Sequence, residues 1–152
     1  MTGPDLSFDR RLAGKRFQTG SFEVTEEAVV GYCDSVGDAW PGTASGASGE
    51  DTAHPVPPTF VLLQALRGIS DLARTLGLPE RFGDLSTQTG EAVKVLGPVY
   101  LGDRIEKRSG IQDAYWKTGR SGLLAFVVWE SEFVNQDGAA VAHARMSFMT
   151  RP

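Results

Sequence analysis

Leu62, Leu66, Ile69, Ala73 and Leu76 recur at the spacing of one helical face, whereas everything after residue 88 reads as strands. Val61, Leu63 and Leu72 widen that stripe, so a helix over 59–76 would be apolar over much of its surface and must be covered on several sides. Thr59 is placed to cap it, and Gly77 and Pro79 to end it. Four strand-like segments follow, at 89–96, 103–114, 123–134 and 139–150. Asn135-Gln136-Asp137-Gly138 supplies a turn between the last two. In the final segment Val141, His143, Arg145, Ser147 and Met149 share one face, and Ala142, Ala144, Met146 and Phe148 the other. Consecutive strands joined by short turns favour an antiparallel sheet, here in an α+β fold with one long buried helix.

Upstream, 16–24 reads as a short strand. A helix follows, with Thr25 as N-cap, Glu26 and Glu27 at its positive end, and Val24 and Val29 spaced as a hydrophobic staple. Val29, Tyr32, Cys33 and Val36 fall on its apolar face, and Gly37 is a plausible stop. Gly, Ser and Pro punctuate 38–57 too often for regular structure. Residues 42–53 have almost no apolar anchor and are expected to form a mobile flap. No internal repeat or linker divides the chain, which reads as a single domain over 1–152 with its core at about 12–150.

Composition narrows the function. With 152 residues, 41% apolar and 22% charged, the chain can bury one real core. No apolar run approaches a membrane span, and Met1 to Arg16 lacks the apolar centre of a signal peptide, so a cytoplasmic location is expected. A net charge of −4 argues against nucleic-acid binding. One cysteine, Cys33, excludes an internal disulfide and reads as a buried thiol, and two His residues show no metal-ligand spacing. The local exception to the acidic balance is Arg104, Lys107 and Arg108, followed by Lys117 and Arg120. It is either a solvated strand face or a docking patch for an anionic carrier. Tyr115 and Trp116 could form a lip beside it.

Four stretches, in order and at sensible spacing from about residue 12 to 150, resemble the N-terminal MaoC-like dehydratase family, also called the fatty-acid-synthase-type dehydratases. They are Tyr32-Cys33-Asp34-Ser35-Val36-Gly37-Asp38, Val56-Pro57-Pro58-Thr59-Phe60, Gly97-Pro98-Val99-Tyr100-Leu101-Gly102-Asp103, and residues 122–138. The resemblance implies a hot-dog fold, a curved antiparallel sheet wrapped around one central helix. It implies a substrate that is a 3-hydroxyacyl or 2-enoyl thioester of coenzyme A or acyl carrier protein, with water added or removed across C2–C3 and no cofactor. It also implies a dimer, with itself or with a MaoC-like homologue.

In active members of the family an Asp and a His just before the long helix share proton transfer, and backbone N–H groups at the helix start polarise the thioester carbonyl. Carried over residue by residue, Asp38 matches the Asp and Pro41 the Pro, but Trp40 stands where Asn is expected and Thr43 where His is expected. A Thr hydroxyl does not shuttle protons near neutral pH. His54, in the approach to the helix, is the candidate second group, and His143 lies mid-strand. Asp38 also reads as an Asx-turn residue, Asp103 as a turn residue and His54 as a solvated loop histidine. Trp40, Pro58, Thr59 and Phe60 are the candidate substrate-binding residues. A hydro-lyase is the first reading. The alternatives are a non-catalytic, acyl-binding subunit of a heteromeric dehydratase and a repurposed thioesterase or cyclase, although Asp71 is poorly placed on the helix to serve a thioesterase.

Overall fold

The computed structural model describes residues 9–44, 54–77, 87–120 and 122–151. After a 3-10 turn at Arg10–Leu12, strand β1 (Phe17–Glu23) leads into helix α1 (Glu26–Val36) and one helical turn, α2 (Pro41–Ala44). A 3-10 helix (Phe60–Gln64) and helix α3 (Ile69–Thr75) come next, then strands β2 (Thr87–Val95), β3 (Arg104–Gly119), β4 (Gly122–Val134) and β5 (Ala140–Thr150). The strands form one five-stranded sheet in the order β1-β3-β4-β5-β2, with every neighbouring pair antiparallel. This is the hot-dog fold of the α+β class. No helix among the described residues is long and apolar enough to cross a membrane.

Strand alternation decides what the sheet covers. Val127, Trp129 and Phe133 of β4 face the same way as Ala142, Ala144 and Met146 of β5, and all six are buried. Glu130, Glu132, His143 and Arg145 alternate with them on the outer face. Onto the buried face pack Val29 and Cys33 of α1, Phe60, Val61 and Ala65 of the 3-10 segment, and Ile69, Leu72 and Ala73 of α3. Helix α1 begins and ends as its sequence dictates. The Thr25 hydroxyl accepts the Ala28 N–H at 3.3 Å, Gly37 turns left-handed at φ 70°, and the staple residues Val24 and Val29 are both buried. Val36 departs from the expected face, being 54% exposed as the last residue of the helix.

The expected continuous helix over 59–76 is corrected. It is two short pieces broken at Gly68, which is left-handed at φ 74°. Ile69 and Leu72 are buried as the stripe requires, but Leu63 and Leu66 are 53% and 52% exposed. Thr59 does not cap the segment: it is itself helical at φ −80°, ψ −10°, and its side chain makes no cap hydrogen bond. The irregular stretch expected at 38–57 contains the turn α2, which Pro41 opens at a position where its missing N–H costs nothing. Residues 45–53, most of the expected flap, lie outside the described residues, as does Pro79. Strand β3 runs on through Tyr115 and Trp116. Tyr115 stacks on Phe126 at 5.3 Å and Trp116 packs against the core. The basic cluster is dispersed, because alternation along β3 turns Lys107 inward, where it is 2% exposed.

Candidate functional site

The site is assembled where α1 ends. The Asp38 N–H donates to Cys33 O at 3.0 Å, and the Asp38 Oδ1 accepts the Ala39 N–H at 2.9 Å, so the backbone turns sharply and leaves the carboxylate exposed. Two residues on, Trp40 is buried and its Nε1 donates to Pro55 O at 3.0 Å, tying the two ends of the 38–57 loop together. Gly42 permits this, since a Cβ there would fall 2.3 Å from the Trp40 ring. The returning strand of the loop is fixed in turn, with Val56 N–H on Val99 O at 2.8 Å and the Leu96 and Gly97 N–H groups on Val141 O at 2.9 and 3.2 Å.

These ties wall a cavity of about 380 Å³. Trp40, Val56, Val61 and Val99 give it an apolar lining, and five prolines, Pro41, Pro55, Pro57, Pro58 and Pro98, stiffen it. Among the described residues, Asp38 is the one ionisable residue in the lining. A second cavity of about 400 Å³ lies where Leu62, Leu63 and Leu66 face Gln88, Glu91 and Met146, with Tyr32 and Thr59 at its edge. There the Tyr32 and Thr59 hydroxyls hydrogen-bond to each other at 2.5 Å.

Of the candidate residues, Asp38, Trp40 and Pro58 therefore meet around the first cavity, and Thr59 lines the second. Phe60 lines neither. It is 2% exposed and sits edge-on to Phe22 and Tyr32, with centroids 6.4 and 5.9 Å away. His54 is half-buried beside Pro55 but outside the first cavity's lining. The Thr43 side chain lies outside what is described. His143 is on the outer sheet face, with Nε2 3.1 Å from Glu132 Oε1. Asp103 is a turn residue as expected, accepting from Tyr100 N–H and Gln136 Nε2, both at 2.8 Å. Burial pushes the Cys33 thiol up, and Asp38 and Asp34 add to the shift, so it is not primed as a nucleophile. Among the described residues no three His, Cys, Asp or Glu side chains converge on a point able to hold a metal.

Sequence reasoning missed two features. The Tyr32–Thr59 pair joins residues 27 positions apart and has no local signature. Lys107 was legible, because strand period two places it on one face with Ile105, Ser109 and Ile111, which are all buried.

A curled antiparallel sheet with an apolar chamber beside its helical segment defines a hot-dog protein of the dehydratase type. The chain belongs to the family described as "FAS1-like, dehydratase domain region", whose model matches residues 11–144. No curated protein sequence matches it. Among solved structures, a chain of the C-terminally truncated HadBC (3R-hydroxyacyl-ACP dehydratase) complex from Mycobacterium tuberculosis superposes with a TM-score of 0.71 at 23% identity. The match covers 91% of this chain and 97% of that one. A MaoC-like dehydratase from Rhodospirillum rubrum superposes at 0.61 with 18% identity, covering 95% and 98%. The R-hydratase PhaJ1 from Pseudomonas aeruginosa gives 0.59 and 15%, covering 91% and 81%. The resemblance to MaoC-like dehydratases carried by the four sequence stretches is thus shown at the level of family and fold.

Proposed function

We propose that this chain adds or removes water across the C2–C3 bond of an acyl thioester, carried on coenzyme A or acyl carrier protein. The reading is carried by Asp38 standing, among the described residues, as the sole ionisable group of an apolar chamber whose wall includes Val61, at the start of the helical segment. Dehydration breaks C2–H and C3–OH and forms C2=C3, and the negative charge that develops on C2 is delocalised onto the thioester oxygen. Backbone N–H groups at the start of a helical segment are suited to that oxygen. A carboxylate accepts the C2 proton, and a second group protonates the departing hydroxyl. Asp38 takes the first role in this reading, and His54 is the candidate for the second. Its place beside Pro55, whose carbonyl holds Trp40, puts it near the chamber wall without lining it. Trp40 and Pro58 wall the acyl group, and Thr59 lies beyond the same helical start.

The partner is a second hot-dog chain, a copy of this one or a homologue. Strand β2 is an edge strand exposed along its whole length, and Val93, Val95, Leu96, Leu63 and Leu66 are exposed around it. An uncovered edge and apolar patch of this kind invite pairing. A cytoplasmic location fits such a partner and substrate. The test is turnover of crotonyl-CoA, followed by loss of its enoyl absorbance, by the purified chain and by its Asp38→Asn variant. Turnover that is abolished by the substitution supports the reading. A chain that is inert alone, and whose turnover with a homologue survives Asp38→Asn, would be an acyl-binding subunit instead.

A further inference from the structure

Lys107 is the buried charged residue, among the described residues, that the proposed chemistry leaves unused. It is 2% exposed, and it projects from β3 beneath the helical segment. Its Nζ donates to Gln64 O at 2.8 Å, to Ala65 O at 3.3 Å and to Arg67 O. In a continuous α-helix these three carbonyls would accept the N–H groups four residues on. Here the Ile69 N–H goes instead to Leu66 O at 3.3 Å. Gln64 O also accepts the Arg67 N–H at 3.2 Å, so the three donors of one ammonium reach that carbonyl and those of Ala65 and Arg67 where the 3-10 helix ends. Gly68 completes the break: it is left-handed, and a Cβ on it would lie 2.6 Å from Thr19 O of β1. The break is clamped between β1 on one side and Lys107 on the other. Just upstream of it lie Thr59, bonded to Tyr32, and Val61, a wall of the Asp38 chamber.

We propose that Lys107 is a positioning residue, whose ammonium ends the 3-10 helix at Gln64–Arg67 and so fixes Thr59 and Val61 against the two cavities. Its relevance to turnover rests on the function proposed above, whereas its effect on the backbone does not. Burial, aided by the charge of Arg67, pulls its pKa to about 8, within reach of a titration. Among the described residues the groups facing it are otherwise uncharged. Its cross-strand partners are Gly20 and Phe133, and the hydroxyls of Thr19 and Ser109 bond to each other at 2.9 Å nearby.

The test uses the full chain labelled with 13C and 15N, free of substrate. In the wild type, the carbonyl 13C shifts of Gln64, Ala65 and Arg67 should follow the single transition of the Lys107 side chain between pH 6 and 10. In Lys107→Met, which keeps length and loses the donors, the shifts of 64–70 should become those of unbroken α-helix, and Lys107→Arg should restore the break. Carbonyls indifferent to the Lys107 titration, or a folded Lys107→Met with wild-type shifts, would overturn the proposal. Should the Met variant not fold, the wild-type titration decides alone. With crotonyl-CoA, Lys107→Met should raise KM about tenfold and change kcat much less, as expected for a wall displaced rather than a reacting group removed. An unchanged KM in a variant whose helix has rewound would overturn the link to the site. An inert wild type would instead count against the proposed function and leave the shift experiment standing.

Discussion

Asp38 closes the turn after α1 through Ala39 and lines the apolar chamber. Asn keeps the shape and the acceptor oxygen but removes the base. Asp38→Asn should therefore lower turnover by roughly 10²–10⁴-fold, with the melting temperature little changed. His54→Ala should do likewise if His54 is the second group, and a silent His54→Ala with an intact fold would assign that role elsewhere. Gly42→Ala should act through Trp40, because the added methyl occupies space now filled by the indole ring. The expected outcome is a displaced Trp40, read as a shift in its fluorescence, together with weaker thioester binding. Legibility at this scale followed locality. Asp38 and Pro58 sit in short motifs and Trp40 stands where the motif has Asn, and all three line the first cavity. Thr59 was misassigned as a cap because its true partner, Tyr32, lies on another helix.

The elements were most legible where their ends carry local chemistry. Helix α1 has a capping Thr, an acidic first turn and a terminal Gly, and its observed bounds agree with them. Thr25→Ala should cost about 1 kcal/mol in a denaturant melt. The helical segment at 59–76 was misread because periodicity reports which face is apolar and is blind to a side chain arriving from elsewhere. Lys107 takes the carbonyls that continuity would need, and Gly68 supplies a conformation that other residues adopt at a cost. Lys107 also makes stability depend on pH. Its pKa falls from 10.5 in the unfolded reference to about 8 in the fold, so the unfolded chain binds more protons between those values. The unfolding free energy should thus rise as pH increases from about 8 to 10.5, by up to about 3 kcal/mol for that shift. Lys107→Met should lack this slope. The comparison with the variant matters because Cys33, its thiol pushed up by burial, works in the opposite sense at high pH.

At the scale of the whole molecule, fold class and strand count were readable from period and turns, but strand order was not. Strand β2 crosses to pair with β5 at the far edge and β1 pairs with β3, contacts between distant residues that no local pattern announces. That order leaves β2 as an exposed edge beside Leu63 and Leu66. Light scattering at micromolar concentration should therefore give a dimer, or a heterodimer when a homologous chain is supplied, and a charged residue at Val93 should shift it towards monomer. A persistent monomer under both conditions would contradict the partner assignment. The central question is whether the chamber at Asp38 hydrates an enoyl thioester. The direct measurement is crotonyl-CoA turnover by the assembled wild-type protein beside the same assembly carrying Asp38→Asn. The predicted result is steady loss of enoyl absorbance that falls at least 10²-fold in the variant. Equal rates in the two folded proteins would contradict it.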